Sequence, residues 1–364
     1  MKIRLKRSEF LSELSPMQGI VERRTTIPVL SHLLLKSGDD RLDLAATDLD
    51  VSLTSWCQAE VEGEGGIAVQ ARKFLEIIRA VVGEEVVLAL TDENRLKITA
   101  GSSRFTINGL SADDFPTLPE VDGETAVALP FAQFKRMVGK VIFAVSTEES
   151  RFQLNGALVK LKQDGLEMVA TDGHRLALVE NVLEGAAEAE GVLVPRKALL
   201  ELQRFEGDGS LDFRRSEHHL SFKLGRRELI CRILEGTFPD YERVIAKDND
   251  KLATFDRKLL AEVVQRVALL TCDRARAVRL EFADGATISA ANPDLGEASE
   301  EVECEFDGEG LSLGINPDYL GHFLSALETE KVKLELKDEN TQAVGVPVDG
   351  DDVRYLCVIM PMRV

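Results

Sequence analysis

Arg41-Leu-Asp-Leu-Ala-Ala-Thr-Asp48 returns 124 residues later as Gly165-Leu-Glu-Met-Val-Ala-Thr-Asp172, and after a further 120, more faintly, as Gly285-Ala-Thr-Ile-Ser-Ala-Ala-Asn292. A second marker keeps the same spacing: Phe115-Pro116, Phe238-Pro239 and Met360-Pro361 stand 123 and 122 residues apart. Two independent markers with one period define three copies of a unit of about 120 residues. The copies are expected to form three domains, at 1–125, 126–246 and 247–364.

Each copy divides again. Helical windows fall at 6–17, 71–80, 131–141, 196–204, 257–270 and 317–328, two per copy. Phe74, Leu75, Ile77 and Ile78 recur at helical spacing. Pro195 and Pro317 suit the first turn of a helix, with Asn316 as a cap. Alternating runs follow each helix and read as half-buried strands: Leu42, Leu44 and Ala46 share a face, as do Leu166, Met168 and Ala170. Polar glycine turns such as Asp122-Gly123 and Asp164-Gly165 separate them. The fold class is α+β, three pseudo-symmetric repeats of helix plus antiparallel strands.

Composition narrows the function. The 364 residues carry a formal charge of −19, which argues against binding nucleic acid by bulk attraction. Aromatics make up only 5%, too few for a base-stacking platform. No apolar run reaches the length of a membrane span, and the N-terminus has no signal-peptide core, so a cytoplasmic protein is expected. The five cysteines are scattered and form no CxxC, which indicates neither a zinc site nor a disulfide framework. The helical windows break the acidic average: they hold 14 basic against 7 acidic residues, leaving −26 on the rest. Helices sharing one surface would make that surface positive, able to hold duplex phosphate without reading bases.

No catalytic constellation stands out. Asp172 and His174 could pair as a general base of a hydrolase. Thr47-Asp48 occupies the same repeat position without a histidine, which favours a backbone turn. Gly63-Glu-Gly-Gly66 lacks the Lys-Ser/Thr of a phosphate loop, and the acidic run Glu297–Glu305 lacks the spacing of a calcium loop. Neither a cofactor nor a metal is expected. The terminal Tyr355-Leu-Cys-Val-Ile-Met-Pro-Met-Arg-Val364 reads as a core strand up to Val358; beyond it, Met360, Pro361 and Met362 suit an adaptable binding surface better.

Ala170-Thr-Asp-Gly-His-Arg-Leu176, Val194-Pro-Arg-Lys197, Gly236-Thr-Phe-Pro-Asp-Tyr241 and Met360-Pro-Met-Arg363 resemble, in order and spacing, the bacterial sliding clamp family, the beta subunits of DNA polymerase III. The likeness covers the whole chain. It implies a homodimer of three-domain protomers, joined head to tail into a closed ring around double-stranded DNA. Such a ring has no chemistry of its own and gives a polymerase its processivity. Six helices per chain give twelve per dimer. At spacings of about 8–10 Å these would enclose a hole roughly 30–38 Å across, enough for a hydrated duplex.

The resemblance also assigns residues. Arg24, Arg72 and Lys197 would contact DNA. A groove would take short apolar motifs from the DNA polymerase III catalytic subunit, the clamp loader and other clamp-binding-motif proteins of replication and repair. The matching positions begin with Leu154, Thr171, Gly173, His174, Arg175 and Leu176. They continue with Pro239, Arg243, Val244, Val358, Met360, Pro361, Met362 and Arg363. Lys73, Ile77 and Phe105 would form one side of the dimer contact, and Leu269 and Leu270 the other.

Overall fold

The computed structural model describes residues 1–22, 25–91, 94–121, 127–272, 276–283, 285–350 and 352–363. Arg24 and the Asp122-Gly123 turn lie outside them. Six α-helices occur among the described residues: α1 (Arg7–Ile20), α2 (Ala71–Ala80), α3 (Phe131–Val141), α4 (Arg196–Gln203), α5 (Arg257–Val267) and α6 (Pro317–Ala326). Five follow a strand directly, and the sixth is separated from its strand by the cap Asn316 alone. Polar caps support three of these starts, those of α2, α5 and α6, by accepting a first-turn N–H. Gln70 accepts from Lys73 at 2.6 Å, Asp256 from Leu259 at 2.8 Å and Asn316 from Asp318 at 2.9 Å. Pro317 is the first residue of its helix, and Pro195 ends the strand Val192–Pro195 directly before α4, which starts at Arg196 where its window opens. α1 runs through Pro16 to Ile20, three residues past its window. The window over 257–270 is α5 followed by a short 3-10 turn, Ala268–Leu270.

The repeat extends to a hydrogen bond invisible in sequence. At the start of each copy's first helix the backbone N–H of Arg7, Phe131 and Arg257 donates to the carbonyls of Glu84, Gly209 and Glu330, at 2.8, 3.0 and 2.9 Å. In the outer copies the arginine side chain also donates to carbonyls at or just past the end of the second helix. Arg7 Nε donates to Ile78 O at 2.9 Å and Nη2 to Arg79 O at 2.7 Å. Arg257 Nε donates to Thr329 O at 2.7 Å and Nη1 to Leu324 O at 3.2 Å.

The chain forms two compact units, Met1–Phe134 with Lys197–Ile233, and Lys135–Arg196 with Leu234–Val364. The first holds a 13-stranded antiparallel sheet, within which Arg227–Arg232, the last strand of the middle copy, pairs with Val51–Gln58 of the first copy, Leu229 opposite Leu53. The second unit holds a nine-stranded sheet with the equivalent junction: Arg354–Ile359, the last strand of the third copy, pairs with Arg175–Val182 of the middle copy, Leu178 opposite Leu356. A separate four-stranded sheet ends at the edge strand Gly296–Val302. One seam design therefore recurs, in which the strand after the Thr-Asp turn of one copy receives the last strand of the next.

The Phe-Pro markers have a physical role. In the first unit Phe115 packs with Val29, Leu30, Ala45 and Ala68. In the second, Phe238, Tyr241, Val244, Ile245 and Ala246 cover Val169, Leu176, Leu178, Val344, Leu356 and Val358. That covering overturns the half-buried reading of Gly165–Thr171. Leu166, Met168 and Ala170 are buried, and so are Glu167 and Val169 on the opposite face.

Candidate functional site

The covering segment leaves a gap against the sheet. A cavity of about 120 Å³ is lined by Leu154, Thr171, Gly173, Arg175, Leu176, Pro239, Tyr241, Val244, Val358 and Met360, all within the second unit. Its walls are apolar with two polar groups, Thr171 and Arg175, the make-up of a pocket for a short apolar ligand.

The floor is set by the Thr171–Arg175 turn. Asp172 Oδ1 accepts the N–H groups of His174 at 2.9 Å and Arg175 at 3.0 Å, while Thr171 Oγ1 donates to Arg175 O at 2.7 Å and accepts Gly173 N–H at 3.1 Å. Asp48 and Thr47 repeat the arrangement in the first copy, and Asn292 accepts Asp294 N–H at 3.0 Å in the third. Gly173 has φ +88°, and its counterpart Leu49 has φ +81°. Asp172 is thus a turn residue whose second oxygen accepts Arg175 Nε at 3.0 Å. The hydrolase reading loses its base.

The opposite wall is anchored by two polar contacts. Tyr241 OH donates to Glu167 Oε1 at 2.5 Å, and Arg354 Nη1 donates to Glu242 Oε1 at 2.9 Å. Lys162 sits 2.6 Å from Glu167 and 3.0 Å from Glu180, and these carboxylates outweigh its partial burial and hold its pKa above the ordinary lysine value. Burial, then the Glu167 carboxylate, raises the Tyr241 phenol well above its ordinary range, so it remains a donor.

Nine of the fourteen sequence-assigned pocket positions line the cavity. His174 lies beside it, where its carbonyl accepts Met360 N–H at 2.9 Å and its ring faces Tyr319. Met362 N–H donates to Gly314 O at 2.8 Å, and Met362, partly buried Pro361 and exposed Arg363 do not line the cavity. Arg243 is exposed and pairs with Asp240 at 2.7 Å. Tyr241 was missed as a lining residue although it closes the Gly236–Tyr241 motif.

The positive helical surface needs revising. Besides Arg7 and Arg257, Lys140 and Arg136 pair with buried Asp352, and Lys197 pairs with Asp48 and donates to Ile20 O at 2.7 Å. These cations brace the protein. Lys197 still keeps 36% of its side chain exposed, and Arg72 is 68% exposed, 3.3 Å from Glu76. Among the dimer candidates Lys73 pairs with Glu76 at 2.5 Å, Phe105 and Leu269 are exposed, and Ile77 and Leu270 are partly buried.

Three larger depressions, of about 990, 430 and 440 Å³, lie elsewhere. The first is fringed by Glu281, Glu301, Glu303 and Glu305. In the second, opposite charges face each other across strands, Lys36 opposite Asp43 and Lys223 opposite Glu228, as on any solvated sheet. Among the described residues no group of His, Cys, Asp or Glu could hold a metal ion, and no helix is long and apolar enough to cross a membrane.

Three tandem α+β copies joined by one repeated strand seam, with an apolar pocket at the second seam, define the architecture of a DNA clamp. Three family models match it in succession: the N-terminal domain of the DNA polymerase III beta subunit over residues 1–119, the central domain over 128–240 and the C-terminal domain over 242–363. The beta sliding clamp of Pseudomonas putida is 38% identical over the full length of both chains. The crystal structure of the DNA polymerase III beta subunit from Pseudomonas aeruginosa superposes with a TM-score of 0.94 at 36% identity, covering all of both chains. A sliding clamp from the same organism bound to griselimycin is similar to the same degree. The chain belongs to the DNA polymerase III beta subunit family, the beta sliding clamps.

Proposed function

We propose that the chain is a non-catalytic DNA sliding clamp. It closes as a head-to-tail homodimer around duplex DNA in the cytoplasm and confers processivity on a replicative polymerase held through the pocket. The three copies correspond to three clamp domains, 1–125, 126–246 and 247–364.

The observation that carries this reading is the strand seam. It is used twice within the chain, and a third use would join the strand after the third copy's turn to the last strand of the first copy. Both of these are open. Gly296–Val302 is a sheet edge, and Ser103–Asn108 of the strand Ser103–Ser111 pairs only with Arg95–Ala100 among the described residues. A second copy supplies what each lacks, and such heterologous contacts between copies can close a ring. The edges are complementary: Glu297 and Glu301 lie on one, with exposed Leu269 in the same copy, and Arg104 and Phe105 on the other. Arg72 and Lys197 are the described candidates for phosphate contact, and Arg24 joins them by family likeness.

The pocket holds a short apolar segment of the polymerase's catalytic subunit, the clamp loader or another partner. Griselimycin, seen with the relative's clamp, serves as a probe. Calorimetric titration should give saturable binding to wild type and at least about tenfold weaker binding to Met360→Asp, which places a charge on an apolar wall. Equal affinity for the two would place the binding site elsewhere.

A further inference from the structure

Arg175 is the single charged side chain on the pocket wall, and it is only 9% exposed. Its Nε donates to Asp172 Oδ2 at 3.0 Å, and its guanidinium lies 4.4 Å from the Tyr319 ring centroid and 5.3 Å from that of Phe143. The remaining anchor is His322 on α6, whose Nδ1 is 2.7 Å from Arg175 Nη1. A guanidinium has no lone pair to offer, so His322 Nδ1 must accept and the imidazole proton must sit on Nε2. We propose that His322, itself outside the pocket wall, is the positioning residue that aims Arg175 into the pocket, so that ligand binding requires His322 to be neutral.

The surroundings fit that role. Phe143 presents a ring 6.3 Å from the imidazole. The charged groups facing His322 are Arg175, from the turn, and Asp318, from its own helix; Asp318 is engaged with Arg276 at 3.1 Å. Tyr319, from the same helix, and Asp172 face Arg175 rather than the imidazole. Burial, and then the Arg175 charge, hold the imidazole below its ordinary 6.5, with Asp318 opposing weakly. Protonation would set N–H against N–H and cation against cation at hydrogen-bond distance. The Asp172 carboxylate fixes the turn and Arg175 Nε, so the Nη1 end of the guanidinium is the part that would shift.

This inference rests on the pocket reading, and one experiment separates the two. Griselimycin is titrated into full-length wild type, His322→Asn and His322→Ala at pH 7.5 and 5.5, with melting curves to verify folding. Wild type should bind measurably more weakly at pH 5.5, by less than about tenfold because the imidazole is held below 6.5 and is only partly protonated there. In His322→Asn the amide oxygen takes the place of Nδ1 and cannot titrate, so affinity should stay within about threefold of wild type at pH 7.5 and should not change with pH. His322→Ala should be weaker at both values. A wild type indifferent to pH, an Asn variant with the wild-type pH profile, or an Ala variant with wild-type affinity at pH 7.5 would each overturn the role of His322. Failure of wild type to bind at pH 7.5 would overturn the pocket reading, and the inference with it.

Discussion

Glu13 shows how one side chain can join two copies of the repeat. It lies on α1 of the first copy, is 5% exposed, and pairs with Arg227 of the middle copy's last strand at 2.8 Å while accepting from Ser55 at 2.6 Å. Burial pushes its carboxyl up, but Arg227, Ser55 and Ser12 outweigh burial and leave it below the ordinary 4.5. The ionised form is therefore favoured by folding. Its contribution is complete above pH 4.5 and is lost as pH falls through the lowered value. Glu13→Ala leaves Arg227 buried without its partner and should cost about 3–5 kcal/mol in denaturant unfolding at pH 7. Glu13→Gln should flatten the loss of stability with pH below 4.5; an unchanged acid profile would contradict the assignment. His174 teaches the opposite lesson at the same scale. Beside Asp172 it suggests chemistry, yet the carboxylate is already held by two backbone N–H groups and Arg175.

At the scale of the element, the six helices were legible because each buries one stripe, and that stripe recurs at helical spacing in sequence. The capping roles of Arg7 and Arg257 were not, since a cation at a helix start looks the same whether it faces water or the next helix. They identify a structural motif that the middle copy replaces with buried Phe131. Arg257→Met keeps the aliphatic stem but leaves the carbonyls of Leu324 and Thr329 open, and should lower stability by about 1–2 kcal/mol in thermal or denaturant unfolding. No change would mean that water replaces the guanidinium without loss. The two-sided burial of Gly165–Thr171 was illegible for a different reason. Its cover, Phe238–Ala246, lies some seventy residues away in sequence, beyond any local periodicity. The same separation hid Tyr241, whose hydroxyl meets Glu167 only once the segment folds back. Nine of the ten residues lining the cavity were nevertheless legible through family motifs, with Thr171–Leu176 and the strand ending at Ile359 meeting across one seam.

For the whole molecule, the net charge of −19 excludes a protein that clings to DNA by its overall field, but leaves room for one that surrounds it. Several helical cations brace the fold, so phosphate contact falls to fewer residues, and a topological hold depends less on each. Closure of the proposed ring would depend on the open strand edges and the apolar side chains beside them. Leu269 is 78% exposed in the single chain, and Leu269→Asp should convert a dimer at micromolar concentration into monomer in sedimentation experiments. A mutant that remains dimeric would move the interface elsewhere. The central claim is encirclement, and one measurement tests it directly. The protein is loaded by a clamp loader onto a nicked circular plasmid, separated from free protein and then followed as the DNA is cut once. Release on linearisation, with retention on uncut circles, is the expected result; continued retention on linear DNA with free ends would contradict it.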